Sequence, residues 1–426
     1  MRFSTRQQIL SLCGLILLVI GIATSWLASQ RQGQDFGVLY AAARGIATGA
    51  PVYNSEWQRV AFSDWGLPPV KNVPYPPSSG FVALPFAAFP FHLAQALWFL
   101  LMTATVVLGV RALVRLVSPQ ASTGAWLLVA GAILLSACIR WGMTPLQGAP
   151  LVFGLLALMV AALYQNRPSA VFFIAASVLA LKFTVALPFL ALLVLHRRYK
   201  TLLGVFILVG LLNIVGFARV GGVAAIEDFR NGLQMHEAFG TVDTPDPWDP
   251  QSVPRLDWPY LLYGLFGSLG TARVLSSIAF CVTCVWLALV WRKLKEPVSV
   301  DVTATFLAPI VLANFLLLYH HHYDISPILV PLVIFLFQTS SVPRFRDRVA
   351  WIWMLPLAVM IAFAPIAVGR SAAVHILGEP GLGITNLLFP ITCTMMLIGS
   401  LVFVRRLEAE LAMESPEQRE QPQCNT

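Results

Sequence analysis

Two charged residues interrupt a very apolar chain at positions where they could do chemistry. Asp35, in RQGQDF (31–36), follows the first apolar run, and a carboxylate there could accept a proton as a general base. A solvated loop carboxylate is the alternative. Lys182, in LALKFTVALPF, lies far from both ends of an apolar run, where a cation is a functional candidate by default. As a lone buried cation facing a cavity, it would attract a phosphate.

A third group of polar residues ends a later apolar run in LLLYHHHYDISP. On a helix, His320 and Asp324 are four residues apart and share a face. Three consecutive histidines cannot all reach one metal from a helix, so zinc binding is disfavoured. We expect His321 and His322 to hydrogen-bond to sugar or phosphate, with a structural role at the helix end as the alternative. Arg370 and His375 lie in another loop on the same predicted side and could join this pocket.

Two further features have weaker signals. Gln147-Gly148 begins a predicted helix, where free N–H groups suit an anion or a sugar hydroxyl, although such a pair is also common at ordinary helix starts. An acidic loop could bind a divalent cation through carboxylate oxygens, although its spacing matches no EF-hand and a solvated acidic loop is the alternative. Its acids are Asp243, Asp246, Asp249 and Asp257. No cofactor is expected.

The elements that position these residues are predicted to be membrane helices. The chain has 426 residues, of which 58% are hydrophobic and 11% charged, whereas soluble proteins carry about 25% charged residues. Its long apolar runs predict an all-α integral membrane protein of about 10–13 transmembrane helices. We expect one domain over 1–412 and a disordered tail over 413–426. The net charge of +8 is attributed to loop ends that meet anionic lipid.

Basic residues in alternate loops predict cytoplasmic termini and place the long loops 30–77 and 219–258 on the exoplasmic side. Arg167 and the cluster 197–200 both favour the cytoplasm, yet one apolar run separates them. A hairpin of two short helices that meet between Lys182 and Pro188 resolves this conflict, and broken backbone at that depth requires a polar cavity. In the first long loop, 38–48 predicts a short helix along the membrane surface that ends near Gly49.

Five stretches together resemble glycosyltransferase family 87, membrane enzymes of the GT-C fold. They are QDFGVLYAAARGIATGAPVYN (34–54), YPPSSGFVALPF (75–86), QGAPLVFGLLALMVAAL (147–163), SVLALKFTVALPFLALLVLHRRYK (177–200) and LLYHHHYDISPIL (317–329). The Gln-Gly pair is followed by Ala-Pro where the family pattern suggests a polar residue, and the third histidine also departs from it. These departures bear on substrate identity more than on fold.

The resemblance implies a transferase that moves a sugar, with mannose expected, from a polyprenyl phosphate to a lipid-linked glycan or glycolipid. Asp35 would be the general base, and the reaction would invert the anomeric carbon. Donor binding would involve Lys182, His321, His322, Arg370, Gln147 and Tyr75. Asp324, Asp243 and Asp246 are further candidates for acceptor or loop contacts.

Three alternatives remain open at the level of the sequence: a lipid or solute transporter without chemistry, an oligosaccharyltransferase-like enzyme, and a phosphotransferase. The absence of recognisable internal repeats disfavours the transporter. The expected location is a bacterial plasma membrane, because the predicted exoplasmic loops have no glycosylation sequon. Nucleic acid is not an expected partner.

Overall fold

The computed structural model describes residues 5–32, 34–67, 73–236, 244–249, 255–294, 298–317, 321–337 and 379–413. These residues form α-helices and short 3-10 helices, with no strand among them. In chain order the α-helices are α1 (Thr5–Gln32), α2 (Gln34–Thr48), α3 (Ser55–Asp64), α4 (Pro77–Ala83), α5 (Phe91–Val117), α6 (Thr123–Leu135), α7 (Ala137–Met143), α8 (Ala149–Tyr164), α9 (Pro168–Leu181), α10 (Leu187–Leu195), α11 (Tyr199–Val220), α12 (Val223–His236), α13 (Trp258–Phe266), α14 (Leu269–Arg292), α15 (Val300–Leu317), α16 (Leu329–Phe337) and α17 (Glu379–Met413).

Six helices in the described part of the chain are long and apolar enough to cross a membrane: α1, α5, α11, α14, α15 and α17. Four shorter apolar helices accompany them, and a further apolar run at 349–368 lies outside the described residues. The prediction of an all-α membrane fold is confirmed. Leucine, isoleucine and valine side chains are exposed along α1, α11 and α14, whereas α15 is mostly buried, so α15 lies at the centre of the bundle.

Glycines allow the central helices to approach closely. A Cβ atom at Gly154 of α8 would lie 2.5 Å from the carbonyl oxygen of Thr105 in α5, and Gly109 of α5 faces Gly154 in the same contact. Gly124 of α6 meets the backbone of α1 at Ser11 in a similar way. Small residues at such crossings are typical of membrane helices, which associate through close backbone packing.

The predicted re-entrant hairpin is confirmed. Helix α9 has 14 residues and α10 has 9, so each is about 14–21 Å long and too short to cross a hydrocarbon core of about 30 Å. Lys182 stands between them with non-helical backbone angles. Arg198, which follows α10, donates a hydrogen bond of 2.8 Å to the side chain of Asn166, which precedes α9. The start of α9 and the end of α10 therefore lie at the same end of the bundle.

We call that end of the bundle the base end and the opposite end, where Lys182 lies, the tip end. Asn314 of α15 donates a hydrogen bond of 2.6 Å to the carbonyl oxygen of Thr184, in the short 3-10 helix Phe183–Val185. A central helix thus binds the backbone of the broken tip. This contact satisfies a polar group that a hairpin in lipid alone would leave without a partner.

Helix α2 ends near Gly49 as predicted, with a positive φ of 77° at that glycine. Its predicted position along the membrane surface stays a prediction, but the helix is covered by protein rather than exposed. Phe36, Ala41 and Ala43 are fully buried, and α2 packs against α4. The approach is close because Gly80 of α4 has no side chain: a Cβ there would lie 2.7 Å from the carbonyl oxygen of Ala42.

Candidate active site

Three segments that are distant in sequence meet at the tip end. The backbone N–H of Asp35, in the first turn of α2, donates to the carbonyl oxygen of Pro145 at 3.2 Å. Two residues later the side-chain oxygen of Gln147 accepts a hydrogen bond of 3.0 Å from the N–H of Ala149, at the start of α8. The carbonyl oxygen of Ala149 in turn accepts from Ser326, at 3.0 Å. The start of α2, the α7–α8 connection and the 3-10 helix His322–Ile328 are therefore held together.

Lys182 is not the lone cation that the sequence suggested. Its Nζ lies 2.6 Å from Oδ1 of Asp324, and the two side chains are 14% and 1% exposed. The other carboxylate oxygen of Asp324 accepts from the backbone N–H of His321 at 3.2 Å. A charge this deep in the protein requires a partner, and the 3-10 helix supplies one. The pair fixes the ammonium group at the tip of the re-entrant hairpin.

Tyr75 lies within the electrostatic reach of both carboxylates. Burial is the largest cause that raises the pKa of its phenol, and the negative charges of Asp35 and Asp324 raise it further. A phenolate beside two carboxylates is unfavourable, so Tyr75 stays protonated and has an O–H to donate. Tyr75 is thus near both Asp35, which follows the first apolar run, and Asp324, which pairs with Lys182.

A second buried ion pair borders this site, and the sequence analysis missed it. The guanidinium group of Arg255 donates two hydrogen bonds of 2.9 Å to the carboxylate of Asp257, and both residues are buried. Asp257 also accepts from the N–H of Tyr260 and so caps α13. The backbone of Arg255 pairs with that of His321 in an isolated antiparallel bridge. This pair therefore helps to position His321, whose N–H also donates to Asp324.

A local signal for this pair was present in PRLDWP (254–259). An aspartate directly before a helix start that contains proline is a typical N-cap. The cap accounts for Asp257, which the sequence analysis had grouped with the acids of a cation site. The arginine has no such signal, because its bidentate contact and its pairing with His321 are formed only in the folded chain.

The remaining predicted residues have different outcomes. Asp246 accepts a hydrogen bond of 2.9 Å from the N–H of Trp248, a local turn contact. His322 belongs to the 3-10 helix, although its side chain is outside the described residues. Asp243, His320, Arg370 and His375 also lie outside them. Within the described ranges, no group of three or more histidine, cysteine, aspartate or glutamate residues could hold a metal ion.

Comparison with known proteins yields one family. The sequence model of glycosyltransferase family 87 matches residues 73–316, which is more than half of the 426 residues. The matched region contains Tyr75, Gln147 and Lys182, whereas Asp35 precedes it and Asp324 follows it. No curated protein matches the chain.

Proposed function

Because the chain belongs to glycosyltransferase family 87 and is a membrane glycosyltransferase, we propose that it takes a sugar from a polyprenyl-phosphate donor. The acceptor is a hydroxyl group of a lipid-linked glycan or glycolipid, and the proposed sugar is mannose. The proposed location is the plasma membrane of a bacterium, with the reaction on the exoplasmic face. Family membership favours this chemistry over the alternative of transport.

The Lys182–Asp324 pair is the observation that supports this proposal most strongly. It lies at the tip of a hairpin that enters the bundle without crossing it, and the phosphate of a polyprenyl donor lies at the membrane interface. An ammonium group has three N–H donors, of which Asp324 accepts one. Asp324 therefore orients the ammonium group of Lys182. Such fixed positive charge stabilises the negative charge that develops on a leaving phosphate.

Asp35 is the proposed general base. It stands in the first turn of α2, where the helix dipole stabilises a negative charge, and only the ionised carboxylate can accept a proton. The hydrogen bond from its N–H to Pro145 fixes the start of the helix against the α7–α8 connection. Tyr75, which is near both Asp35 and Asp324, is the proposed hydrogen-bond donor to the substrate between them.

In the proposed reaction the acceptor hydroxyl attacks the anomeric carbon from the face opposite the phosphate. Its proton passes to Asp35, the bond between the anomeric carbon and the phosphate oxygen breaks, and the electron pair of that bond leaves with the phosphate. The configuration at the anomeric carbon is inverted. Lys182, His321, His322 and Arg370 are the proposed ligands of the phosphate. The Gln147 amide nitrogen is the proposed donor to the sugar, because its oxygen already caps α8.

Charges at the base end support the proposed orientation. Lys293, at the end of α14, pairs with Glu408 of α17 at 2.5 Å, and Arg405 pairs with the same carboxylate at 3.1 Å. Trp291, close to Lys293, bonds to the carbonyl oxygen of Leu195 in α10, so these basic residues lie near Arg198. Basic loop ends remain in the cytoplasm. The tip end would then face the exoplasmic side, with both termini in the cytoplasm.

The test uses the purified full-length protein in nanodiscs, a short-chain polyprenyl-phosphate mannose and an extract of envelope lipids. We expect the wild type to release polyprenyl phosphate and to form a new glycolipid. Asp35→Asn keeps the shape of the side chain but removes the base, and we expect kcat to fall by about 10²–10⁴-fold with donor binding retained. Asp64→Asn is the matched control, because Asp64 is exposed at the end of α3.

Two outcomes would contradict the proposal in different ways. Equal rates for wild type and Asp35→Asn would remove Asp35 from the chemistry and direct attention to Asp324 and Asp243. If a folded wild type released no polyprenyl phosphate from any lipid-linked sugar, the donor class itself would be wrong. Assays of lipid translocation would then test the alternative of transport.

A further inference from the structure

We infer that a cavity beside the candidate active site binds one neutral sugar unit of the acceptor, at a distance from the hydroxyl that reacts. This inference rests on the proposed function and identifies a part of the acceptor that it leaves unspecified. The cavity lies between α3, the segment before α4, and α12. Its volume is about 170 Å³, below the roughly 300–1,000 Å³ of sites for drug-sized ligands, and so suits a single monosaccharide.

The cavity is joined to the site through the backbone that carries Tyr75. Tyr53 lines the cavity, and its hydroxyl donates to the carbonyl oxygen of Tyr75 at 2.9 Å. Val73, two residues before Tyr75, also lines it. The phenol of Tyr75 in turn experiences the charge of Asp35, the proposed base. A glycan whose terminal hydroxyl reaches Asp35 would therefore place a neighbouring sugar at this cavity.

One of the residues that line the cavity is Gln58, which carries a buried side-chain amide. Gln58 is 1% exposed, and its amide nitrogen donates to the carbonyl oxygen of Val52 at 2.9 Å. This bond fixes which way the amide points. The amide oxygen is buried and has no hydrogen-bond partner among the described residues. Buried polar groups nearly always have a partner. Because this oxygen has almost no accessible surface, a sugar hydroxyl supplies the missing donor when the Gln58 side chain shifts toward the cavity.

The charge of the lining favours a neutral ligand over a phosphate. The exposed rim carries Asn54, Asp228 and Asn231, and none of the described residues that line the cavity is a lysine or an arginine. The carboxylate of Asp228 would repel a phosphate, whereas amides and a carboxylate are good partners for sugar hydroxyls. The cavity therefore differs from the Lys182 site, which offers positive charge.

The rim also indicates that the sugar belongs to a lipid. Asp228 and Asn231 lie on α12, whose apolar side chains Val223 and Ile226 are 73% and 47% exposed and do not line the cavity. A helix with polar groups on one side and exposed apolar groups on another is suited to the membrane interface. The headgroup of a glycolipid would reach the cavity from that interface, where a free sugar has no reason to be concentrated.

The first test measures binding and needs no reaction. Full-length protein in nanodiscs is mixed with methyl α-mannopyranoside, and contact is followed by saturation-transfer NMR. We expect the signal to fall at least about fivefold in Asp228→Ala/Asn231→Ala, because two hydrogen bonds are lost. Glu227→Ala/Gln234→Ala, on the same helix but outside the cavity, is the matched control. An equal signal in all proteins, or displacement of the sugar by inorganic phosphate, would overturn the inference.

The second test separates this inference from the proposed function. With the donor and envelope lipids described above, we expect Asp228→Ala/Asn231→Ala to raise the acceptor KM about tenfold while the donor KM changes less than twofold. Gln58→Met, which removes the buried amide at similar volume, should raise the acceptor KM in the same direction. An unchanged acceptor KM with normal donor consumption contradicts the cavity alone. If the wild type consumes no donor, the proposed function is contradicted. The NMR experiment then tests sugar binding at the cavity independently of the reaction.

Discussion

Replacing Lys182 with methionine removes the cation from a buried ion pair and leaves its carboxylate partner in place. The Asp324 side chain is 1% exposed and that of Lys182 is 14% exposed. Breaking a buried pair by removal of one partner costs about 3–5 kcal/mol. We expect Lys182→Met to lie at the upper end of this range, because it leaves the more deeply buried charge without its partner. Asp324→Asn should lie at the lower end.

The double variant Lys182→Met/Asp324→Asn should be more stable than either single variant. It buries no unpaired charge, and the asparagine oxygen can still accept the hydrogen bond from the N–H of His321. The double variant still loses the charge-assisted hydrogen bond between the two side chains, so we expect a stability within about 1–3 kcal/mol of the wild type. This pattern is strongly non-additive, as is typical of residues in direct contact.

Thermal unfolding of the detergent-solubilised protein, followed by size-exclusion chromatography of the fraction that remains folded, measures these differences. Lys293→Met is the matched control, because Lys293 forms an ion pair of similar length with Glu408 but is 67% exposed. Exposed pairs contribute about 0–1 kcal/mol, so its Tm should stay close to that of the wild type. Donor binding by the double variant adds a second readout: we expect a folded protein that no longer binds polyprenyl phosphate.

Two results would refute this reasoning. If Lys182→Met and Lys293→Met had the same Tm, the Lys182–Asp324 contact would not be the buried pair described here. If the effects of the two single changes simply added in the double variant, each residue would act through other partners. A stable double variant that still bound polyprenyl phosphate would leave the pair intact but would remove Lys182 from phosphate recognition.

Two other predictions concern packing and pH. Gly154→Val places side-chain atoms against the backbone of Thr105, so it should destabilise the protein by at least about 1–3 kcal/mol and lower its Tm. The control Gly210→Val, which has open space around it, should not lower the Tm by a similar amount. Equal Tm values for the two variants would contradict the close crossing of α5 and α8. Above about pH 10 the unfolded state loses the proton of Tyr75 while the folded state, with its raised pKa, keeps it, so stability falls. The Tm of Tyr75→Phe relative to the wild type should therefore rise between pH 8 and pH 11, and a constant difference would contradict a raised pKa of this phenol.

Much of the fold could be predicted from the sequence because membrane helices carry their signal locally. Long apolar runs identify the spans, and the positions of Arg167 and Arg198 required a hairpin rather than a crossing. The hydrogen bond between Asn166 and Arg198 confirms that inference. The location of α2 could not be predicted in this way. Its alanine-rich composition does not show how much protein covers it, and the close approach that Gly80 of α4 allows is formed only in the folded chain.

Local sequence patterns could not predict which residues of the candidate site contact one another. Lys182 and Asp324 are separated by 142 residues, and no periodicity connects them. Arg255 lies in an irregular segment, and its role depends on a backbone bridge to His321. Sequence reasoning identified residues of the right chemical type, including Asp35, Tyr75 and Gln147. It could not show that the side-chain oxygen of Gln147 caps α8, the helix that follows it.

The same separation of 142 residues has a consequence for biosynthesis. Ribosomes add about 5–20 residues per second, so Asp324 is made roughly 7–28 seconds after Lys182. During that interval the hairpin contains an ammonium group for which its final carboxylate partner does not yet exist. A lysine in an apolar segment costs about 2.5–3.5 kcal/mol on insertion, which favours keeping its charged end at the interface. We therefore expect the final depth of the hairpin to become more favourable once the 3-10 helix has been synthesised, which makes closing of the site a late step in assembly of the protein.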